Sequence, residues 1–350
     1  MTSRILDLQK KLRFPLLIKK SENIFYLTGQ WFLNGWLLVS PPSPDLIKGR
    51  KGEAVFLGDG LEKVYGIKFD RMKNIPRYVR GKRLQIEPIF TFAEGKYLEE
   101  RIPRVKLVVA QSPVDSARAV KDREELAMMR KSYGITARVW QQVKRALLRG
   151  SWTEAGLAQF ITRSGIQLGA DGVSFDPIVA AGPNAAVPHH RPTKKKLRTG
   201  ESVIVDFGFK YRGYCSDFTR TVFLQAVPKR LANAYKQVES AYEKALSAAR
   251  PGESCARLYR VARAVLGARK LDRYFIHNLG HGAGLEIHEL PNLSSQSREV
   301  LQEGMVFSIE PGVYFPKVGG VRIEDLIYFS QGQVRKFIHV PTQLAENIIK

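Results

Sequence analysis

The stretch GESVIVDFGFKYRGYCSDFTRT, residues 200–221, decides the fold class. Two runs rich in β-branched and aromatic side chains flank a tight turn, where Gly213 is available for a positive φ. A turn centred between Tyr211 and Arg212 sets Asp206 opposite Asp217, with Cβ atoms about 5 Å apart. A bulge at Gly213 would turn the pair into a diagonal that still keeps both in reach. Two carboxylates that close repel each other, and a cation is the natural remedy.

A second stretch repeats the arrangement. In GMVFSIEPGVY (residues 304–314) and GGVRIED (residues 319–325), Glu310 and Glu324 are equidistant from Lys317, inside a Pro/Gly loop. They too oppose each other across a hairpin. Two hairpins that each present an acid pair suggest a pseudo-symmetric site for two metal ions. Five of the six histidines, His189, His190, His277, His281 and His288, fall in the same part of the chain. His281 lies in GHGAG (residues 280–284), where glycines let the backbone approach a site closely. One imidazole with four carboxylates is a hard, oxygen-rich set suited to Mn, Fe(II), Co or Zn, and unlike a structural zinc or Cu(I) site. Asp206-Phe207-Gly208 also mimics a kinase motif, but no catalytic HRD loop or glycine-rich nucleotide loop accompanies it.

Outward from these hairpins, 350 residues suggest two domains. A hydrophobic fraction of 44% with 25% charged residues excludes wholesale disorder and a disulfide-stapled miniprotein. Cys215 and Cys255 have no CxxC partner, which fits a reducing compartment. No stretch has the 18 or so apolar residues of a membrane span, and the N-terminus lacks the pattern of a signal peptide. The expectation is a cytoplasmic protein without a membrane partner. Lys plus Arg is 56 against 33 acidic residues, a net charge of +23. Residues 1–115 carry +9 and the remainder +14, so the excess is spread along the chain, not held in a binding arm. A solvated basic surface accounts for it; a nucleic-acid partner is possible on charge alone, with no motif to support it.

Residues 1–115 alternate apolar runs with turn signals. Strands are expected at 14–18, 23–27, 35–39, 53–57 and 105–109, and helices at 59–67 and 91–101. This predicts a small α/β domain ending near Ser112-Pro113. Residues 116–350 form the second domain. Helices are expected at 121–148, from about 151 to 165, at 229–249 and at 254–266. Ser151 and Glu154 have capping-box spacing at the start of the second of these. Strands are expected at 173–181, 202–209, 214–224, 304–314 and 321–329.

These residues resemble the metallopeptidase family of methionine aminopeptidases and Xaa-Pro peptidases, with its pita-bread fold. The matching segments are SFDPIV (174–179), GPNAAVPH (182–189), DFG (206–208), SDFTRT (216–221), GHGAGLEIHE (280–289), IEPG (309–312) and VRIED (321–325), in the family's order. Upstream, YLTG (26–29) resembles the creatinase-like N-terminal domain of the Xaa-Pro branch. The resemblance implies an α/β (α+β) protein: a creatinase-like N-terminal domain at 1–115 and a pita-bread catalytic domain at 116–350. It implies two divalent ions (Mn, Co, Fe or Zn) held by Asp206, Asp217, His281, Glu310 and Glu324, with Asp217 and Glu324 bridging both. It implies cleavage between an N-terminal residue and proline by a hydroxide shared between the ions. Glu310 would move the proton, while His189 and His288 would contact the substrate. Arg322 would steady the site, and His277 would stand behind it. A homodimer is the usual assembly of such relatives.

Ala283 departs from the family's usual branched residue. Asn292 stands where dipeptidase members often have an arginine that holds a dipeptide's free carboxylate. An aminopeptidase acting on longer peptides therefore stands level with a dipeptidase. Two further readings remain: a metal-free hydrolase on the same fold, and a non-catalytic member binding nucleic acid or an acidic partner through its basic surface. Both usually go with a depleted ligand set, and here the set is complete.

Overall fold

The computed structural model describes residues 2–32, 34–42, 54–59, 66–79 and 81–350. The chain divides into two compact units, Met1–Arg118 and Ala119–Lys350.

The first unit is built on a six-stranded mixed sheet. Its strands run, in spatial order, Lys68–Arg71, Ala54–Gly58, Trp36–Val39, Leu16–Ile18, Arg83–Ile86 and Lys106–Val109. Leu16 and Ile18 belong to one apolar cluster and Leu17 to another, so both faces of the sheet are covered. The strand expected at 23–27 is instead the helix Ser21–Thr28. Ile24 and Leu27 are buried three residues apart on one helix face, and Gly29, at φ +75°, ends the helix in the left-handed conformation. Aromatic and β-branched composition suggested a strand there; packing decided otherwise. The helix Phe92–Arg101 forms as expected, with Thr91 and Glu94 making a reciprocal capping box. The helix expected at 59–67 falls largely outside the described residues.

The second unit has a nine-stranded sheet. Its main path runs Glu289–Leu293, Gly280–Gly282, Val306–Ile309, Glu324–Ser330, Phe218–Leu224, Ser202–Phe207 and Ile178–Ala181, antiparallel throughout. Helices Arg123–Arg149 and Glu154–Gln167 pack on one half, against Val179, Val203, Val205 and Phe207. Helices Lys229–Ala248 and Cys255–Gly267 pack on the other, against Phe307, Ile309, Ile327 and Phe329. No described helix is long and apolar enough to cross a membrane. Both cysteines are buried and neither is in a disulfide.

Strand alternation sorts polar from apolar in this sheet. Val205 and Phe207 enter the helix-facing core, which leaves Asp206 on the opposite face. Ile309, Ile327 and Phe329 do the same for their strands, leaving Ser308, Glu310 and Glu324 on Asp206's side. Asp325, beside Glu324 in sequence, points the other way. It accepts hydrogen bonds from Arg220 at 2.8 Å and from the Tyr242 hydroxyl at 2.6 Å.

Two expectations need correction. The first hairpin turns one residue later than predicted, at Arg212 (φ +48°) and Gly213 (φ +82°). Lys210 therefore faces Cys215, and Asp206 faces Thr219 instead of Asp217. Asp206 and Asp217 are diagonal neighbours. The helix after Gly150 is capped by Thr153, which accepts from the Gly156 amide at 3.0 Å; Ser151 and Glu154 form no capping box. Glu154 is drawn away because its buried carboxylate serves the loop at residues 182–193. It accepts hydrogen bonds from the Ala181 amide (2.8 Å), Asn184 Nδ2 (3.0 Å) and the Thr193 hydroxyl (2.6 Å), and pairs with His190 at 3.0 Å.

Candidate active site

The second hairpin keeps the register read from its sequence. Ile309 pairs with Asp325 and Gly312 with Arg322, two ladders in one register around Lys317. Glu310 and Glu324 face each other where the chain steps between those ladders. His281 approaches from the neighbouring strand. A Cβ on Gly280 would lie 2.0 Å from the Ser308 carbonyl oxygen, and one on Gly282 would lie 2.0 Å from that of Leu290. Only glycine fits on either side of this imidazole.

The five acidic and imidazole residues converge. His281 Nε2 lies 3.2 Å from Glu310 Oε1 and 3.6 Å from Asp217 Oδ2. Carboxylate and imidazole atoms of Asp217, His281 and Glu324 all lie within 4.8 Å of one another, close enough to share one ion. Asp206, Asp217 and Glu324 are almost fully buried. Asp206 Oδ1 and Glu324 Oε1 are buried without any hydrogen-bond donor. A buried carboxylate oxygen left without a donor is costly unless a cation supplies the missing contact.

The electrostatics agree. Burial, followed by the charge of Glu324, Asp206 and Glu310, pushes Asp217 well above the usual carboxylate range. Burial, then Glu310 and Asp206, pushes Glu324 up to about 8. Burial alone would raise Glu310, but its hydrogen bond with His281 and the charges of His281, His277 and Arg322 together bring it down to about 2. Burial alone would lower His281; Glu310 and Glu324 instead raise it to about 9. The polypeptide thus concentrates more buried negative charge than it neutralises. An oxygen-rich, anionic set with one imidazole fits divalent metal.

Hydroxyl and guanidinium groups hold these carboxylates in place. Thr219 donates to Glu324 Oε2 at 2.6 Å, and Ser308 donates to Glu310 Oε1 at 3.1 Å. Buried Arg322 donates to Asp206 Oδ2, to the Tyr314 hydroxyl at 3.0 Å and to the Pro188 carbonyl at 3.3 Å. His277 Nε2 is 2.9 Å from the Tyr314 hydroxyl, so it contacts Tyr314 and not the acid cluster itself. The rings of His281 and His288 lie 4.3 Å apart. His189 and His288 both line a cavity of about 510 Å³ that opens over the cluster, along with Phe175, Ile178 and Asn292. His190 is turned away toward Glu154, and Asn292 accepts from Asn278 Nδ2 at 3.1 Å.

Sequence pattern alone does not single out Thr219, Ser308 or Tyr314. A signal for the first two existed: Ser308 precedes Glu310 by two residues and Thr219 follows Asp217 by two, the spacing of one strand face. Tyr314 carries no such mark.

Residues 127–331 match the model for metallopeptidase family M24, and residues 10–120 match the creatinase/prolidase N-terminal domain. The Xaa-Pro dipeptidase of Pyrococcus furiosus is 30% identical over 93% of this chain and 94% of its own length. A Mycoplasma pneumoniae protein provisionally named an Xaa-Pro aminopeptidase is 38% identical over 89% of this chain and 88% of its own length. The solved structure of the Pyrococcus furiosus prolidase superposes with a TM-score of 0.85, covering 96% of this chain and 99% of that one at 28% identity. The two-part α/β architecture and the converging acids thus have one explanation: the chain belongs to metallopeptidase family M24, with a creatinase/prolidase N-terminal domain ahead of a pita-bread domain, and is a hydrolase.

Proposed function

We propose that this protein hydrolyses the peptide bond between an N-terminal residue and a following proline, using two divalent metal ions. Asp206, Asp217, His281, Glu310 and Glu324 would hold the ions. One observation carries the reading: two carboxylate oxygens, on Asp206 and Glu324, are buried with no donor inside a cluster of four acids and one imidazole. When bound, such ions lower the pKa of water and stabilise negative charge on the substrate carbonyl oxygen.

The chain's own groups do the rest. Glu310, at the edge of the cluster and open to the cavity, takes the proton of the attacking water and delivers it to the proline nitrogen. His288 donates a hydrogen bond to the oxygen that gains charge. His189, on the same cavity wall, holds the substrate beside the leaving nitrogen. Arg322 fixes Asp206 and, through the Pro188 carbonyl, the segment that carries His189. A proline nitrogen has no N–H to offer, so a site that packs the ring and requires no such donor confers the preference.

A metal-reconstituted assay tests the proposal. Protein stripped with chelator and reloaded with Mn or Co is expected to cleave Xaa-Pro dipeptides or longer Xaa-Pro-Yaa peptides. It should spare the same peptides with alanine in place of proline. Equal cleavage of the alanine peptides would remove the proline assignment, and full activity in Glu310→Gln would remove the mechanism.

A further inference from the structure

A second cavity, of about 540 Å³, lies in the catalytic unit but shares no residue with the cavity described above. Arg230, Lys236, Arg269, Lys270 and Arg273 line it, and no acidic residue does. Among the described residues none of these five cations is in an ion pair. The nearby Asp272 is paired with Arg263, at 3.5 Å.

The cavity is more than a basic surface. The Arg230 guanidinium lies 4.5 Å over the Phe315 ring, and that of Arg273 lies 4.9 Å over Tyr274. Tyr274 and Phe315 meet edge to face at 4.7 Å. Two guanidinium groups thus sit over a joined aromatic floor, which restrains them while their N–H groups can still reach an anion. The helix Lys229–Ala248, which supplies Arg230 and Lys236, has no acidic residue in its first turn. Acidic side chains are the favoured residues at that end of a helix, and here Lys229 and Arg230 stand there instead. Unpaired like charges gathered around one concavity repel each other, and a polyanion relieves that repulsion.

We propose that this cavity binds a small polyphosphate-bearing anion. Five separated donors match a chain of phosphate groups better than a single carboxylate. The volume is that of a small-molecule site, not of a groove that tracks a nucleic-acid strand. Two sources share this chemistry: inorganic polyphosphate and a nucleoside polyphosphate, whose base would use the aromatic floor.

Calorimetric titration of the metal-loaded protein with tripolyphosphate, and separately with a nucleoside triphosphate, tests the proposal. Binding should weaken as salt is raised, and Arg230→Glu/Arg273→Glu should weaken it by about 10-fold or more. The exposed pair Lys236→Glu/Arg269→Glu provides a second reading if the first variant folds poorly. Both variants should keep peptidase activity. Because polyphosphate also chelates metal, Asp206→Asn/Asp217→Asn is the matching control, and it should retain the binding. Tighter binding of the nucleoside triphosphate identifies a nucleotide; equal binding identifies the phosphate chain alone. Unchanged affinity in both charge-reversed variants overturns the proposal. So does binding lost only in the Asp206→Asn/Asp217→Asn protein, or a single-stranded oligonucleotide that outcompetes both probes at the same residues.

Discussion

His281 Nε2 lies 3.2 Å from Glu310 Oε1, and against the effect of burial on each the contact helps raise the imidazole to about 9 and lower the carboxylate to about 2. In this arrangement a proton on the ring does the work that a metal ion would otherwise do. Metal binding should therefore displace a proton. Titration of chelator-stripped protein with Mn at pH 7, in two buffers of different ionisation enthalpy, is expected to report proton release. The melting temperature should rise with metal; at a free concentration 100 times the dissociation constant the gain is about 2.7 kcal/mol. His281→Ala should lose both signals. A metal-independent melting temperature in the wild type would count against the site.

Thr219 provides a sharper test, because it is not itself a proposed ligand. Its hydroxyl donates to Glu324 Oε2 at 2.6 Å, while Glu324 Oε1 has no donor. One oxygen is thus fixed by the protein and the other left for a cation. Thr219→Val keeps the strand's shape and removes the hydroxyl, which also accepts a hydrogen bond from Arg322 Nε at 3.3 Å. Groups that orient a metal ligand are typically worth about 10–100-fold in metal affinity or activity. Metal affinity measured by competition with a chromophoric chelator should fall in that range, and Thr219→Ser should restore it. Unchanged affinity in Thr219→Val would show that Glu324 is not oriented in this way.

The two hairpins differ in how much of them could be read in advance, and the cause is local. Glu310 and Glu324 are symmetric about Lys317, and both ladders around that turn share one register, so spacing alone located the pair. Asp206 and Asp217 face each other only if the turn is centred between Tyr211 and Arg212 with Gly213 alone at positive φ. The chain instead also places Arg212, a side chain that seldom adopts it, at positive φ, and the register moves. At 23–27, burial of Ile24 and Leu27 on one helix face overrode a strand-like composition. Glu154 carried a capping signature, yet it is spent on backbone and side-chain donors 27 or more residues away, which no local pattern encodes. The ligand-type residues were legible because chemistry restricts their identity; the hydroxyls that hold them were not, because serine, threonine and tyrosine are common everywhere.

Glu154 should confer a pH-dependent stability. Burial would raise its pKa, but hydrogen bonds from Thr193, the Ala181 amide, His190 and Asn184 prevail and hold it below the ordinary value of 4.5. A carboxylate lowered on folding stabilises the protein above its unfolded pKa, and the contribution is lost as pH falls through the folded value. Glu154→Gln should cost about 2 kcal/mol near neutrality. The difference in melting temperature from wild type should shrink below pH 4.5. Activity should also fall, since His189 lies on the loop that Glu154 holds. A gap that widens toward acid would contradict this account.

Asn292 bears on substrate length. It lines the main cavity as a neutral side chain, hydrogen-bonded to Asn278 at 3.1 Å. A dipeptide brings its free carboxylate close to the scissile bond, whereas a longer peptide places an uncharged amide there. A carboxylate entering a wall without a matching cation loses water and gains little in return. Asn292→Arg would offer a two-pronged donor, and a hydrogen bond to a charged group is worth about 1.5–3 kcal/mol, roughly 10–150-fold. The ratio of kcat/KM for an Xaa-Pro dipeptide to that for the matching Xaa-Pro-Yaa tripeptide should rise by about that factor, mainly through KM, because the contact is present in ground state and transition state alike. If Asn292→Arg changed both substrates equally, the carboxylate would lie elsewhere in the cavity and Asn292 would have no part in selecting peptide length.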